Sequence, residues 1–264
     1  MRVSEIGPIA TAFWRLTLAL PLLLLLSRFD PAGSQLSKRP RSLRDHLDVA
    51  APGLCLAADL TSWHLSLQMT SIANSTLLVN LAPIFVTLFS WLILRRKIRP
   101  VFVAGLAVST AGIVVLKGGL GGLGGAIGGD GVAVVAAAFY AGYILLLERA
   151  RRTYSTTTIM LWSTTSAAFC TGLVTWYVEP QLLPWTITGW LILLGLAWIS
   201  HAGGQSLITF ALAWLPATMS SLTLLIQPVI AALLARLLLH ESLTASQIGG
   251  GLIVIVGIAL ARRG

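Results

Sequence analysis

The sequence predicts an all-α protein that spans a membrane many times, and three observations lead to this prediction. Of its 264 residues, 56% are hydrophobic and only 10% are charged, whereas a soluble domain carries roughly a quarter charged residues. Apolar stretches of about 18 to 25 residues, each long enough to cross the hydrocarbon core as a helix, recur along the chain. No stretch alternates apolar and polar residues as membrane strands do, and helices satisfy their own backbone groups in lipid.

We predict about nine transmembrane helices. The spans lie near 7–27, 49–69, 73–94, 99–117, 131–147, 157–178, 187–211, 216–239 and 244–261. The first span is too long and apolar for a removable signal peptide and lacks a small-residue cleavage site, so we expect it to be retained. Cys55 and Cys170 fall inside spans without metal-ligand spacing. We expect two buried thiols rather than a disulfide.

The positive charges fall on alternate loops, which predicts the orientation in the membrane. Fourteen of the 18 Lys and Arg residues follow the first, third, fifth and ninth spans, and cytoplasmic loops retain such an excess. This places the C-terminus in the cytoplasm and the chain in the cytoplasmic membrane. The net charge of +9 therefore does not indicate nucleic-acid binding, since no basic stripe is interleaved with aromatic residues.

The chain contains an internal repeat with an offset of 145 residues. The recurring residues are Leu77, Pro83, Leu88, Leu92, Leu94, Gly105, Gly112 and Ile113, which align with Leu222, Pro228, Leu233, Leu237, Leu239, Gly250, Gly257 and Ile258. An offset of five helices turns the second copy upside down in the membrane, and many secondary transporters are built from such inverted repeats. We predict a first repeat of four helices at 1–117, a glycine-rich linker at 118–130 and a second repeat of five helices at 131–264.

A 5+5 architecture lacks its first helix here, because the counterpart of the span at 131–147 would lie before Met1. Three explanations stay open: a truncated chain, a misassigned start, or a protein that works without this helix.

The sequence resembles the EamA-like family of the drug/metabolite transporter superfamily. The matching stretches are GPIATAFWRLTLALPLLLLL, ADLTSWHLSLQMTSIANSTLLVNLAPIFVTLFSWLIL and GGQSLITFALAWLPATMSSLTLLIQPVIAALLARLLLHE. The resemblance implies a pseudo-symmetric carrier of metabolites, amino acids or drugs, usually an exporter driven by an ion gradient or exchange. The acidic residue usual after the second helix of the proline pair is kept as Glu241, but its counterpart in the first half is Arg96.

Arg15 and Asp59 are ionisable groups in mid-span, where a charge is costly unless it faces a cavity or a partner. Both lie roughly 15 to 18 Å from the cytoplasmic ends of their spans, at 1.5 Å per residue. Adjacent antiparallel helices could bring them into a buried ion pair. Two interpretations stay open: the pair gates a central site, or it is a static strut that fixes helix packing.

Trp63 and His64 follow Asp59 by about one helical turn, and His201 and Gln205 lie one turn apart on a later span. Either histidine could carry a proton near neutral pH, or each could be a neutral hydrogen-bonding residue of the core. The repeat aligns Asp59, His64 and His201 with residues of other types, namely Gly204, Thr209 and Leu56. This asymmetry favours a functional role, since packing residues tend to recur in both halves.

Asn80 precedes Pro83, and Gln227 precedes Pro228, in symmetry-related spans. Each proline removes a helical hydrogen bond, so we expect two kinks whose neighbouring amides either line a binding cavity or bond across helices. Tyr140 is an aromatic candidate for the cavity wall, as are Trp14, Tyr143 and Trp162.

These residues predict a secondary transporter whose halves rock about a midplane cavity, with a small solute, membrane lipids and a proton or other coupling ion as partners. Arg15 suits a carboxylate-bearing solute. We expect no cofactor, metal or nucleic acid, and no enzyme activity, because no metal-ligand cluster, nucleophile elbow or phosphate loop is present. The alternatives are a non-functional transporter fragment and a helical membrane scaffold.

Overall fold

The computed structural model describes residues 5–29, 40–118, 127–239 and 244–263, and every regular element in those ranges is helical. The elements are α1 (Pro8–Thr17), α2 (Leu20–Arg28), α3 (Leu43–Met69), α4 (Ile72–Val79), α5 (Ala82–Leu92), α6 (Pro100–Leu116), α7 (Ile127–Ala150), α8 (Thr156–Val178), α9 (Ile187–Gly195), a π-helix (Leu196–Gln205), α10 (Ser206–Ala211), α11 (Ala217–Thr223), α12 (Ile226–Leu239) and α13 (Ala245–Ala261). The all-α prediction is confirmed. Glu241 and most of the predicted linker lie outside the described residues.

Each predicted span coincides with helix. Within the described residues, five helical segments are long and apolar enough to cross a membrane: Pro8–Arg28, Ile72–Leu92, Ile127–Ala150, Ile187–Ala211 and Ala217–Leu234. Helices α6 and α13 are shorter apolar helices, whereas α3 and α8 are long but rich in polar side chains. Two helices begin earlier than their predicted spans, α3 at Leu43 and α7 at Ile127.

Several predicted spans are interrupted rather than continuous. The first breaks between α1 and α2 next to Pro21, and the seventh passes through the ten-residue π-helix. The proline kinks expected at Pro83 and Pro228 are present as breaks between α4 and α5 and between α11 and α12. Pro83 occupies the first turn of α5, where its missing N–H costs no helical hydrogen bond.

The chain divides into two compact units, and each takes helices from both repeats. The first unit contains residues 1–64 and 142–216. In it, α8 packs against α1, α2 and α10, and α1 also contacts α9 and the π-helix. Its small core clusters bring Leu23, Met160 and Ala197 together in one place and Ile6 and Leu193 in another.

Two carboxylates cap helices of the first unit. The Glu179 carboxylate accepts hydrogen bonds of 2.7 and 2.9 Å from the N–H groups of Ile9 and Ala10, at the start of α1. Glu5, just before α1, accepts from the Thr186 hydroxyl and backbone N–H at the start of α9. Negative charge is favourable at a helix N-terminus, so each segment stabilises the beginning of the other's helix. The hydrogen bond from the Thr186 hydroxyl holds the pKa of Glu5 below its usual value.

The second unit contains residues 65–141 and 217–264, and a close α6–α13 contact lies at its centre. Gly105 opposes Gly257 and Gly112 opposes Gly250, so the two helices run antiparallel. An added Cβ would lie 2.6 Å from the Gly257 carbonyl oxygen at Gly105, and 2.9 Å from the Gly250 carbonyl oxygen at Gly112. The repeat offset of 145 residues aligns Gly105 with Gly250 and Gly112 with Gly257. The offset therefore converts the Gly105–Gly257 contact into the Gly112–Gly250 contact, as an inverted repeat requires.

Candidate functional site

Polar side chains of the first unit gather around Arg15. The ones that interact electrostatically with its guanidinium include Asp59 and His64 of α3, Tyr143 of α7 and His201 of the π-helix. Asp59, His64, Tyr143 and His201 are all buried. The structure therefore brings together ionisable groups from both repeats, which the sequence separates by up to 186 positions.

Arg15 and Asp59 interact without direct contact. In the described part of the chain, no nitrogen–oxygen distance within 4.0 Å joins the two side chains. The buried Nε of Arg15 and the buried Oδ1 of Asp59 also have no hydrogen-bond partner among the described residues. The expected ion pair is thus an electrostatic interaction without direct contact, and the Arg15 Nε and the Asp59 Oδ1 keep capacity for another partner.

A break in the first span ends α1 at Thr17, which places Arg15 in the last turn of α1. Pro21 follows the break, and its ring cannot donate the backbone hydrogen bond that would continue α1 into α2. The acceptor that this hydrogen bond would have used is the Thr17 carbonyl. The neighbouring Leu18 carbonyl accepts a hydrogen bond of 3.1 Å from the indole N–H of Trp198, in the π-helix. The Thr17 hydroxyl, next to the break, is buried with no hydrogen-bond partner among the described residues.

Close helix packing positions Asp59 on α3. At Gly53 the helix lies against the backbone of Ser163 in α8, where a side chain on residue 53 would collide with the Ser163 carbonyl. The Ser166 hydroxyl donates a hydrogen bond of 2.7 Å to the Ala50 carbonyl nearby. These contacts fix α3 against α8 about two turns before Asp59, so the carboxylate is held by backbone packing and not by a salt bridge.

His201 lies in the π-helix and contacts a second helix. Its Nε2 is 2.9 Å from the hydroxyl of Thr164, which is fully buried on α8. Gln205 ends the same π-helix, and its Oε1 is buried without a hydrogen-bond partner among the described residues. A ten-residue π-helix is unusual, and π-helical turns are frequent at functional sites because they redirect side chains.

His64 is buried, and its imidazole is one of the less satisfied groups of the first unit. The ring approaches the Leu60 carbonyl of its own helix but reaches no hydrogen-bond geometry, so both ring nitrogens are left without a partner among the described residues. The Trp63 ring lies beside it, with 5.1 Å between ring centroids. Trp63 is itself partly buried.

The remaining predicted site residues belong to the second unit. Asn80 ends α4 and donates a hydrogen bond of 2.6 Å to the Thr76 carbonyl one turn earlier, so its amide N–H is used within its own helix. Gln227 is exposed in the first turn of α12, and Tyr140 is partly buried on α7. Pro83 is buried.

Sequence reasoning missed three features of the site: the break at Pro21, the π-helix and the Thr164 hydroxyl. Pro21 was a detectable signal, since a proline inside a predicted span breaks or kinks the helix. The pair Gly203–Gly204 was a weaker signal for the π-helix, because two glycines in an apolar run also suit close packing.

Cys55 and Cys170 are free thiols as expected, although both are only partly buried. The described ranges contain no group of three side chains that could hold a metal ion.

Comparison with known proteins identifies the family. The model of the EamA-like transporter family matches twice, at residues 1–117 and 127–263. No curated protein matches the chain. Among the solved structures that match, one crystal structure superposes with a TM-score of 0.82 at 18% identity, covering 98% of this chain and 89% of that chain, which supports the fold alone. The chain belongs to the EamA-like transporter family and is a membrane transporter of the drug/metabolite type.

Proposed function

We propose that this protein is a secondary transporter that exports small metabolites, amino acids or drugs across the cytoplasmic membrane by alternating access, and that carboxylate-bearing solutes such as amino acids are its preferred class. The observation that carries this proposal is the polar cluster around Arg15. Unsatisfied buried polar groups cost about 1–3 kcal/mol each, and charged groups cost more. A cluster that leaves several such atoms unpaired fits a site whose partners are supplied by a solute.

Arg15 and Asp59 suggest how the solute is held. In their ionised forms they carry opposite charges, and they interact electrostatically without making a direct ion pair. A carboxylate bound to Arg15 would gain a charge-assisted, bidentate partner, and an ammonium group on the same solute would lie near Asp59. A zwitterionic amino acid offers both groups, so it satisfies the site better than a monoanion does.

We propose a proton as the coupling ion. Asp59 and His64 are titratable, lie on one helix and both interact with Arg15. Binding a proton at either group changes the charge of the site by one unit, which alters its affinity for a zwitterion. The asymmetric distribution of Lys and Arg supports a cytoplasmic C-terminus.

The test is transport by the purified protein in liposomes. Radiolabelled amino acids, organic acids and a cationic drug are offered with and without a pH gradient, beside a known carrier as a positive control. We expect accumulation of a zwitterionic amino acid that collapses when an ionophore dissipates the gradient. If none of these solutes moves while the known carrier is active, the proposal is wrong.

Charge variants separate a transport role from a packing role. Asp59→Asn should abolish uptake while membrane insertion stays intact. Asp48→Asn is the matched control, because it makes the same chemical change on the same helix at a residue that pairs with Arg149 at 3.6 Å, outside the cluster. The double variant Arg15→Gln/Asp59→Asn removes both charges together. A static strut predicts that the double variant regains transport as well as stability, whereas a solute site predicts that it regains stability alone.

A further inference from the structure

The second unit carries a pocket that the transport site does not use. It has a volume of about 880 Å³ and lies between α5, α6 and the turn that joins them. One part of its lining is apolar and includes Ile84, Leu88 and Val103. These three side chains are exposed, so the wall they form is open to whatever surrounds the helices.

The other part of the lining is cationic. Arg95, Arg96 and Lys97 follow each other in the turn after α5, and Trp91, in the last turn of α5, lines the same pocket. The chain reverses sharply here, with the Arg96 N–H donating a hydrogen bond of 3.0 Å to the Ser90 carbonyl. Three consecutive cationic residues therefore line the same end of the pocket.

The backbone of Arg95 shows that turn propensity alone does not explain this arginine. Its φ of 53° lies in the left-handed region, where glycine or asparagine is preferred and a larger side chain is strained. The chain nevertheless places a cationic side chain at this position, next to Arg96 and Lys97.

This combination of surfaces selects one class of ligand. A soluble anion needs the cations but not an exposed apolar wall, and an uncharged lipid needs the wall but not the cations. An anionic phospholipid needs both, and a tryptophan at the junction is typical of the level where lipid headgroups begin. We propose that this pocket binds an anionic phospholipid, with its headgroup on Arg95, Arg96 and Lys97 and an acyl chain along Ile84, Leu88 and Val103.

The second repeat provides an internal comparison. The offset of 145 aligns Arg95, Arg96 and Lys97 with His240, Glu241 and Ser242, which lie outside the described residues. The sequence of the second copy thus lacks the cationic run, so the repeat alone does not account for it. An orientation signal also explains a cationic loop, and the experiment has to separate that explanation from a lipid site.

Arg99 makes the separation possible. It belongs to the same loop and counts equally toward orientation, but it caps the start of α6 and does not line the pocket. Lys97→Gln and Arg95→Gln remove a charge from the pocket, whereas Arg99→Gln removes the same charge from the loop alone. The side chains of Arg95, Lys97 and Arg99 are all exposed, so none of the three substitutions disturbs the buried core. A difference in lipid binding between these variants therefore reports on the pocket and not on misfolding.

The experiment is native mass spectrometry of the purified full chain in detergent, titrated with phosphatidylglycerol and, separately, with phosphatidylcholine of the same acyl chains. We expect one tightly bound phosphatidylglycerol per chain and a clear preference over phosphatidylcholine. Each pocket variant should weaken phosphatidylglycerol binding about fivefold, the factor that one cation near an anionic lipid surface supplies, and Arg99→Gln should change it less than about twofold. Leu88→Gln, in the apolar wall, should weaken both lipids.

Three results would overturn the proposal. The first is equal affinity for the two lipids, and the second is an equal effect of Arg99→Gln and Lys97→Gln, which would indicate general loop charge. The third is full competition by glycerol phosphate, which would indicate a site for soluble anions. Size-exclusion chromatography and circular dichroism confirm that each variant is folded, and a lipid-dependent shift of the unfolding temperature provides a second readout. The transport proposal is unaffected by any of these outcomes.

Discussion

The antiparallel α6–α13 contact predicts opposite effects for two neighbouring glycine substitutions. A Cβ added at Gly250 would lie 2.3 Å from the backbone nitrogen of Leu116, whereas ordinary contact begins at 3.4 Å, so the helices would have to separate by about 1.1 Å. The colliding atom belongs to the backbone, and no rotamer change can relieve it. A Cβ at Gly249 would meet nothing within 4 Å. Gly250→Ala is therefore the perturbation and Gly249→Ala is its matched control.

The expected magnitude follows from two contributions. Replacing glycine by alanine inside a helix stabilises it by about 0.5–1 kcal/mol, and both variants share this gain. Overpacking at a close contact costs about 1–3 kcal/mol, and only Gly250→Ala suffers it. The difference in unfolding free energy between the two variants is therefore about 1–3 kcal/mol, with Gly249→Ala more stable than the parent.

The assay is reversible unfolding in mixed micelles, followed by circular dichroism as denaturing detergent is added. Gly105 aligns with Gly250 under the repeat offset, so Gly105→Ala should destabilise the protein to a similar extent. Equal midpoints for Gly249→Ala and Gly250→Ala would refute the close approach of α6 and α13. A Gly105→Ala variant as stable as the parent would refute the pseudo-symmetry of the contact.

Two further predictions concern the first unit. Thr164→Val removes the hydroxyl that lies 2.9 Å from His201 Nε2 and leaves a buried nitrogen unpaired, so it should lower the unfolding free energy by about 1–3 kcal/mol. Thr165→Val is the control, because the exposed Thr165 hydroxyl bonds only within its own helix, and it should change the unfolding free energy by less than about 0.5 kcal/mol. Similar losses in the two variants would contradict the role of the hydrogen bond. The pKa of Glu5 is lowered in the folded protein, so its ionised carboxylate stabilises the fold at pH values above the usual pKa of 4.5, and this contribution is lost as the pH falls below that value. Thermal unfolding between pH 7 and pH 3 should therefore show a smaller loss of stability in Glu5→Gln than in the parent. Parallel curves of unfolding temperature against pH for the two proteins would exclude the contact with Thr186.

The hydropathy pattern was sufficient to predict the spans, because each helix must cover the hydrocarbon core with apolar side chains. The breaks at Pro83 and Pro228 were also predictable, since the chemistry of proline is local. The π-helix was not, and the hydrogen bonds that its side chains make, from Trp198 to Leu18 and between His201 and Thr164, join helices that are distant in sequence. Local patterns contain no information on such partners.

The site illustrates a second limit. Counting residues gave Arg15 and Asp59 similar depths, and the structure places both in one polar cluster. Rise per residue fixes the height of a side chain but not its direction around the helix axis or the distance between axes. Those quantities depend on helix packing, such as that of Gly53 against Ser163. The sequence therefore allowed a direct ion pair, whereas the structure has an electrostatic interaction without contact.

The α6–α13 contact has a consequence for how such a chain could originate. Because its glycine contacts exchange with each other under the repeat offset, the interface is self-complementary in the way that the interface of a two-fold symmetric homodimer is. Two separate copies of a half-length polypeptide, inserted in opposite orientations, could form the same interface before any gene fusion joined them. Joining them into one chain would then remove the requirement that a single sequence insert both ways, leaving each half free to accumulate its own charges and its own binding chemistry.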